Sequence, residues 1–133
     1  MIRAVIDTNV LVAALLSTHA DSATVRVLSA IVDGKVEALV SEEILTEYRE
    51  VLVRSKFGFP LDKVSAVLQV FEQFGKATSP SHYGSSMPDE KDRVFYEVVL
   101  AEPDAHLVTG NLKHFPATPI VVTPAQFCEL IGI

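Results

Sequence analysis

Ile2-Arg3-Ala4-Val5-Ile6-Asp7-Thr8-Asn9 is the stretch that decides the fold. Its first five residues are mostly apolar, β-branched in part and without the alternation of a half-exposed strand, so they read as a buried one. The run stops on a carboxylate. Asp7-Thr8-Asn9 then leads directly into Asn9 to Ser17, apolar almost all round and read as a short buried helix.

Outward from that start, strands and helices alternate. A second helix is expected from Ser22 to Asp33, with Val25, Leu28 and Val32 inward and Gly34 ending it. Val36 to Val40 reads as the next strand. Ser41 caps a helix whose first turn carries Glu42 and Glu43, which suit the positive end of the helix dipole. The apolar stripe of that helix is Ile44, Tyr48, Val51, Leu52 and Ser55. After the Gly58-Phe59-Pro60 turn, a helix from Leu61 to near Gly75 turns Val64, Val67, Leu68 and Phe71 inward. A brief strand at Ala77 to Ser79 and a loop from Ser79 to Pro88 precede a helix over Asp89 to Ala101. Strands at Ala105 to Thr109 and Ile120 to Val122, and a helix from Pro124 to Leu130, complete the pattern. The alternation implies a three-layer α/β domain with a mostly parallel sheet, one domain over residues 1–133. Ligands of such sheets bind at the carboxyl ends of the strands, where Asp7 and Asn111 both fall.

Composition narrows the class. With 49% hydrophobic and 21% charged residues, disorder is not expected. The longest apolar run, Val10 to Leu16, falls far short of the roughly 20 residues that span a bilayer, and Met1-Ile2-Arg3-Ala4 has no signal-peptide layout. The single Cys128 excludes an internal disulfide and suits a reducing compartment. A cytoplasmic protein without membrane association is the expectation. The net charge of −6 argues against a generic nucleic-acid binder but not against a nuclease whose carboxylates hold metal.

Four polar residues carry the functional signal: Asp7, Glu47, Asp92 and Asn111. Asp7 and Asn111 follow strands; Glu47 and Asp92 lie on or beside the apolar stripes of their helices. Ionised carboxylates near a core are costly unless paired, and no basic residue is placed to pair with all three, so a divalent metal is the economical explanation. Each has a plainer reading. Asp7 could cap a helix, Glu47 could be an exposed-face glutamate as Glu50 is, Asp92 could complete a capping box begun by Asp89, and Asn111 could be a turn residue. Asp104 precedes the strand that Asn111 follows, which places it on the opposite rim. Thr8, Asn9 and Thr109 are supporting residues for the turn, metal water or phosphate. Arg49, Arg93 and Lys113 flank the acids and are candidates for contacts to a nucleic-acid backbone. His82, His106 and His114 lack metal-ligand spacing, so a zinc site is not expected.

Four motifs in order, Val5-Ile6-Asp7-Thr8-Asn9-Val10-Leu11-Val12, Ser41-Glu42-Glu43-Ile44-Leu45-Thr46-Glu47-Tyr48, Pro88-Asp89-Glu90-Lys91-Asp92-Arg93-Val94-Phe95 and Leu107-Val108-Thr109-Gly110-Asn111-Leu112-Lys113-His114-Phe115, resemble the PIN-domain family. Within it they resemble the VapC-like toxins of prokaryotic toxin–antitoxin systems. The resemblance implies a parallel five-stranded sheet of order 3-2-1-4-5. It also implies Mg²⁺- or Mn²⁺-dependent endoribonuclease activity on RNA, a small antitoxin partner and a homodimer. Asp7, Glu47 and Asp92 match the family's first three acidic positions and would be its catalytic and metal-binding residues. Asn111 matches the fourth metal position, where Asp is commoner; its neutrality puts a second metal in doubt. The competing expectation is a catalytically weak PIN-like binding module acting through a protein partner.

Overall fold

The computed structural model describes residues 1–133. Five parallel strands form one sheet: β1 Ile2–Ile6, β2 Val36–Val40, β3 Lys76–Ala77, β4 His106–Val108 and β5 Val121–Val122, in the order β3-β2-β1-β4-β5. Six helices flank it in a three-layer α/β arrangement: α1 Thr8–Leu16, α2 Ala23–Val32, α3 Glu42–Leu52, α4 Leu61–Phe74, α5 Arg93–Leu100 and α6 Pro124–Ile131. Both the alternating pattern and the implied strand order are met. No helix is long and apolar enough to cross a membrane.

The central strand explains why Ile2–Ile6 dominates the reading. Ala4, Val5 and Ile6 are fully buried, since helices cover both faces of a parallel sheet and exclude water from every side chain of its middle strand. Each large aliphatic side chain removed from water there contributes roughly 1.5–3 kcal/mol. β1 pairs with β2 at Ile2↔Val36 and Ala4↔Ala38, and with β4 at Ala4↔His106 and Ile6↔Val108. The chain winds outward from β1 to β2 and β3, then crosses back to β4 and β5. The carboxyl ends of β1 and β4 therefore flank the switch point, the place where open α/β sheets bind ligands.

Several local expectations need correction. In α1 the buried residues are Thr8, Val10 and Leu11, with Val12 and Leu15 partly buried against the core; Ala13 and Leu16 face outward. On α2 the core-facing residues are Val27, Ala30 and Ile31. Leu28 is partly buried against that core, as expected, whereas Val25 and Val32 open onto a shallow groove shared with Val67 and Val70 of α4. Ser55 lies beyond the end of α3 and is exposed, so the stripe of that helix stops at Leu52. The brief third strand sits at Lys76–Ala77 rather than Ala77 to Ser79. The helix expected from Asp89 is a tight 3-10 turn at Glu90–Asp92 followed by α5, and this break at Asp92 matters for the site.

Candidate metal centre

Asp7 ends β1 at the switch point. Its backbone N–H still donates to the Val108 carbonyl at 2.9 Å, which fixes the residue to the end of β4. The side chain makes no capping bond to α1, although it occupies the cap position. Its Oδ2 accepts instead from the Thr109 hydroxyl at 2.7 Å and from the Asn9 amide at 3.2 Å. Asn9 in turn accepts from the Gly110 N–H at 2.9 Å. A Cβ on Gly110 would come within 3.3 Å of that Asn9 oxygen, so a side chain there would push Asn9 aside by a few tenths of an ångström.

Glu47 is brought to the same place by its neighbour Tyr48. That ring is fully buried, packs edge-on against Phe71 with centroids 5.0 Å apart, and donates its hydroxyl to the Ile6 carbonyl at 2.5 Å. This bond ties α3 to the last residue of β1. Glu47 sits half-buried one residue before it and accepts from the Thr8 hydroxyl.

Asp92 stands where the 3-10 turn passes into α5. Asp89 caps that turn by accepting from the Lys91 N–H at 3.1 Å, whereas Asp92 makes no capping bond. Its side chain is 13% exposed, and Oδ2 lies 3.0 Å from Nδ1 of His114. The other ring nitrogen of His114 is 2.8 Å from the Asn111 amide. His114 was missed by reasoning from metal-ligand spacing. The available signal was its position three residues after Asn111, because side chains at that spacing eclipse in a 3-10 turn.

The electrostatics of the three acids run one way. Burial pushes the Asp7 carboxyl up to about 6; the Thr109 hydrogen bond opposes this, and the negative charges of Asp92 and Glu47 add to it. Burial also raises Glu47, opposed by the Thr8 hydrogen bond and reinforced by Asp92. Asp92 is raised by burial and by Asp89, with His114 acting against them. The three carboxyls thus lie within electrostatic reach of one another. No lysine or arginine forms an ion pair with any of them. Lysine and arginine charge reaches them only at longer range, from Arg54 on Glu47 and from Lys91 on Asp92. Oxygen donors in that state fit a hard divalent cation.

The tightest set of possible ligands differs from the expected one. Asp89, Asp92 and His114 bring their ligand atoms within 4.8 Å of one another and could chelate a divalent ion. Asp7, Glu47 and Asp92 are not drawn together that closely. Asn111 reaches the site through its backbone N–H, which donates to the Thr109 hydroxyl at 3.0 Å, and through His114. Asp104 is exposed ahead of β4, at the other rim, as its spacing requires.

The flanking cations are unequal. Arg93 binds Glu90 at 2.7 Å and donates to the carbonyls of Tyr83 and Ser85 at 2.6 and 2.8 Å, pinning the long loop before α5. Arg49 pairs with Glu72 at 3.4 Å. Lys113 is exposed and has no ion-pair partner.

The fold is a parallel α/β sheet that carries, at its switch point, three carboxylates with no lysine or arginine ion pair. A sequence profile described as PIN domain matches residues 3–113, and the chain belongs to that family. No curated protein and no solved structure matches it.

Proposed function

We propose that the protein is a Mg²⁺- or Mn²⁺-dependent endoribonuclease that hydrolyses RNA phosphodiester bonds. The observation that carries this reading is the set of three acids at the sheet's switch point, each raised first by burial and then by a neighbouring carboxylate, none of them in an ion pair with a lysine or arginine. A folded chain tolerates such a set when a cation is its intended partner.

Asp7 and Asp92 would hold the ion, with Glu47 and Asn111 at its margin. The cation, when bound, supplies positive charge where the phosphate oxygens gain negative charge. Glu47 is the general base. Its carboxylate removes a proton from the attacking water as the water oxygen bonds to phosphorus and the P–O ester bond breaks. Its raised pKa makes it a stronger base than an ordinary glutamate. Thr8 orients that carboxylate by donating to it. Thr109 and Asn9 hold Asp7 by donating to one of its oxygens, which leaves the other for the ion. Lys113, free of ion pairs beside the site, contacts the RNA backbone. Arg49 and Arg93 assist only by giving up intramolecular partners. A toxin role, a small antitoxin partner, a homodimer and a cytoplasmic location extend the proposal on family likeness.

Cleavage of a labelled RNA with Mn²⁺ or Mg²⁺ tests the reading. Wild type should cut, and Asp7→Asn and Asp92→Asn should not. Equal cleavage by all three would remove these residues from the reaction. A second reading, a binding module without catalysis, is favoured by the neutral Asn111. It prevails if millimolar Mn²⁺ fails to bind.

A further inference from the structure

The proposed centre has three acids, not four, and the residues around Asn111 show what occupies the fourth place. A continuous chain of hydrogen bonds links Asp92 to Asp7. Asp92 Oδ2 lies 3.0 Å from His114 Nδ1, and His114 Nε2 lies 2.8 Å from Asn111 Nδ2. The Asn111 backbone N–H donates to the Thr109 hydroxyl at 3.0 Å, and that hydroxyl donates to Asp7 Oδ2 at 2.7 Å. The profile that identifies the family ends at residue 113, so His114 lies just beyond it.

Chemistry assigns the protons along this chain. A carboxylate only accepts, so Nδ1 of His114 carries a hydrogen and donates to Asp92. The Asn111 amide NH₂ then donates to Nε2, which makes the imidazole neutral. Asp89 Oδ2, at 3.8 Å from the same Nδ1, is a second and weaker acceptor. Both ring nitrogens are thereby engaged, and His114 could ligate a metal only by breaking one of these bonds. Asp92 keeps one oxygen, Oδ1, for a cation.

We propose that His114, buttressed by Asn111, is a positioning residue for Asp92, a neutral pair standing where a fourth carboxylate would add charge. This rests on the nuclease reading above. The pair orients a ligand carboxylate by hydrogen bonding to the oxygen turned away from the ion, a means by which groups around a metal tune its affinity. Because it contributes no negative charge, the centre holds one divalent ion rather than two.

The test is Mn²⁺ titration followed by electron paramagnetic resonance on wild type, His114→Ala and His114→Asn. Wild type should bind one ion per chain. His114→Ala should bind it roughly 10- to 100-fold more weakly. His114→Asn should recover most of the loss, since its amide nitrogen takes the place of Nδ1. Long-range proton–nitrogen NMR of the metal-free protein should show the Nδ1–H form of His114. Unchanged affinity in His114→Ala, an imidazole nitrogen coupled directly to the ion, a second ion of equal affinity, or the Nε2–H form would each overturn the inference and leave the nuclease reading intact. Failure of wild type to bind Mn²⁺ would overturn the nuclease reading, and this role with it.

Discussion

The two rims of the sheet use the same kinds of side chain to opposite ends. At the amino rim, Arg3 near the start of β1 pairs with Glu37 of β2 at 3.1 Å, and Glu102, ahead of β4, takes Lys76 of β3 at 2.8 Å. The Lys76 hydrogen bond holds the Glu102 carboxyl below its usual range. At the carboxyl rim, Asp7, Glu47 and Asp92 have no such partners and are all raised. Acids at one rim are satisfied by the chain's own cations. Those at the other are held together against repulsion, an arrangement that favours proton or metal binding over fold stability.

Neutralising the acids one at a time breaks this contrast most directly. Asp7→Asn or Asp92→Asn should abolish Mn²⁺-dependent RNA cleavage, measured on a labelled oligonucleotide. Glu47→Gln should lower the rate by roughly 10²- to 10⁴-fold, the usual contribution of a general base. Full activity in any of the three would detach the carboxyl rim from catalysis.

The same substitution should have the reverse effect on the fold. A carboxyl raised from 3.8 to about 6 carries a cost of about 3 kcal/mol when ionised, as an upper bound. Metal-free Asp7→Asn keeps an oxygen for Thr109 and Asn9 and loses the charge. It should therefore unfold at higher urea concentration than metal-free wild type at pH 7. Saturating Mn²⁺ should narrow the gap by stabilising wild type. A less stable metal-free variant would mean that Asp7 is structural.

The acidic pH range sharpens the contrast further. Between about pH 4 and 6 the folded protein retains a proton on Asp7 that the unfolded chain has released, so Asp7 makes stability fall as pH rises. Glu47 and Asp92, also raised, act in the same direction. Glu102, lowered, stabilises above its ordinary range and loses that contribution as pH falls through its folded value. Subtracting the urea-derived stability curve of Asp7→Asn from that of wild type should leave a negative slope in this window. A flat difference would place Asp7 in a more solvated site than its burial indicates. The smallest effect belongs to the amino rim. Glu102→Gln should destabilise slightly, opposite in sign to Asp7→Asn, and the effect should shrink with added salt.

How much of this was legible in sequence follows from how local each determinant is. Ile2–Ile6 and Val36–Val40 declare themselves because a buried parallel strand is apolar on both faces, here broken only by Arg3 and Glu37 near the strand starts. Asp7 and Asn111 are legible as strand-end residues. The inward face of α2 was legible only in part: Leu28 packs on the core as expected, but the fully buried residues are Val27, Ala30 and Ile31, a choice made by neighbours distant in sequence. The break at Asp92 was hidden for a related reason: Asp89 capping reads the same whether an α-helix or a 3-10 turn follows. His114 was invisible to ligand spacing since it meets Asp92 through the folding of two separate turns. Arg93, expected near substrate, is held by Glu90 and the loop carbonyls. Charge alone could not reveal that.

The central claim is that the carboxyl rim exists to hold a cation. A crystal soaked in Mn²⁺ and measured for anomalous scattering tests it most directly. One peak bonded to carboxylate oxygens of Asp7 and Asp92, with His114 still hydrogen-bonded to Asp92, is the expected result. No peak at saturating Mn²⁺, or a peak bonded to Asp89 and His114 but not to Asp7, would contradict it.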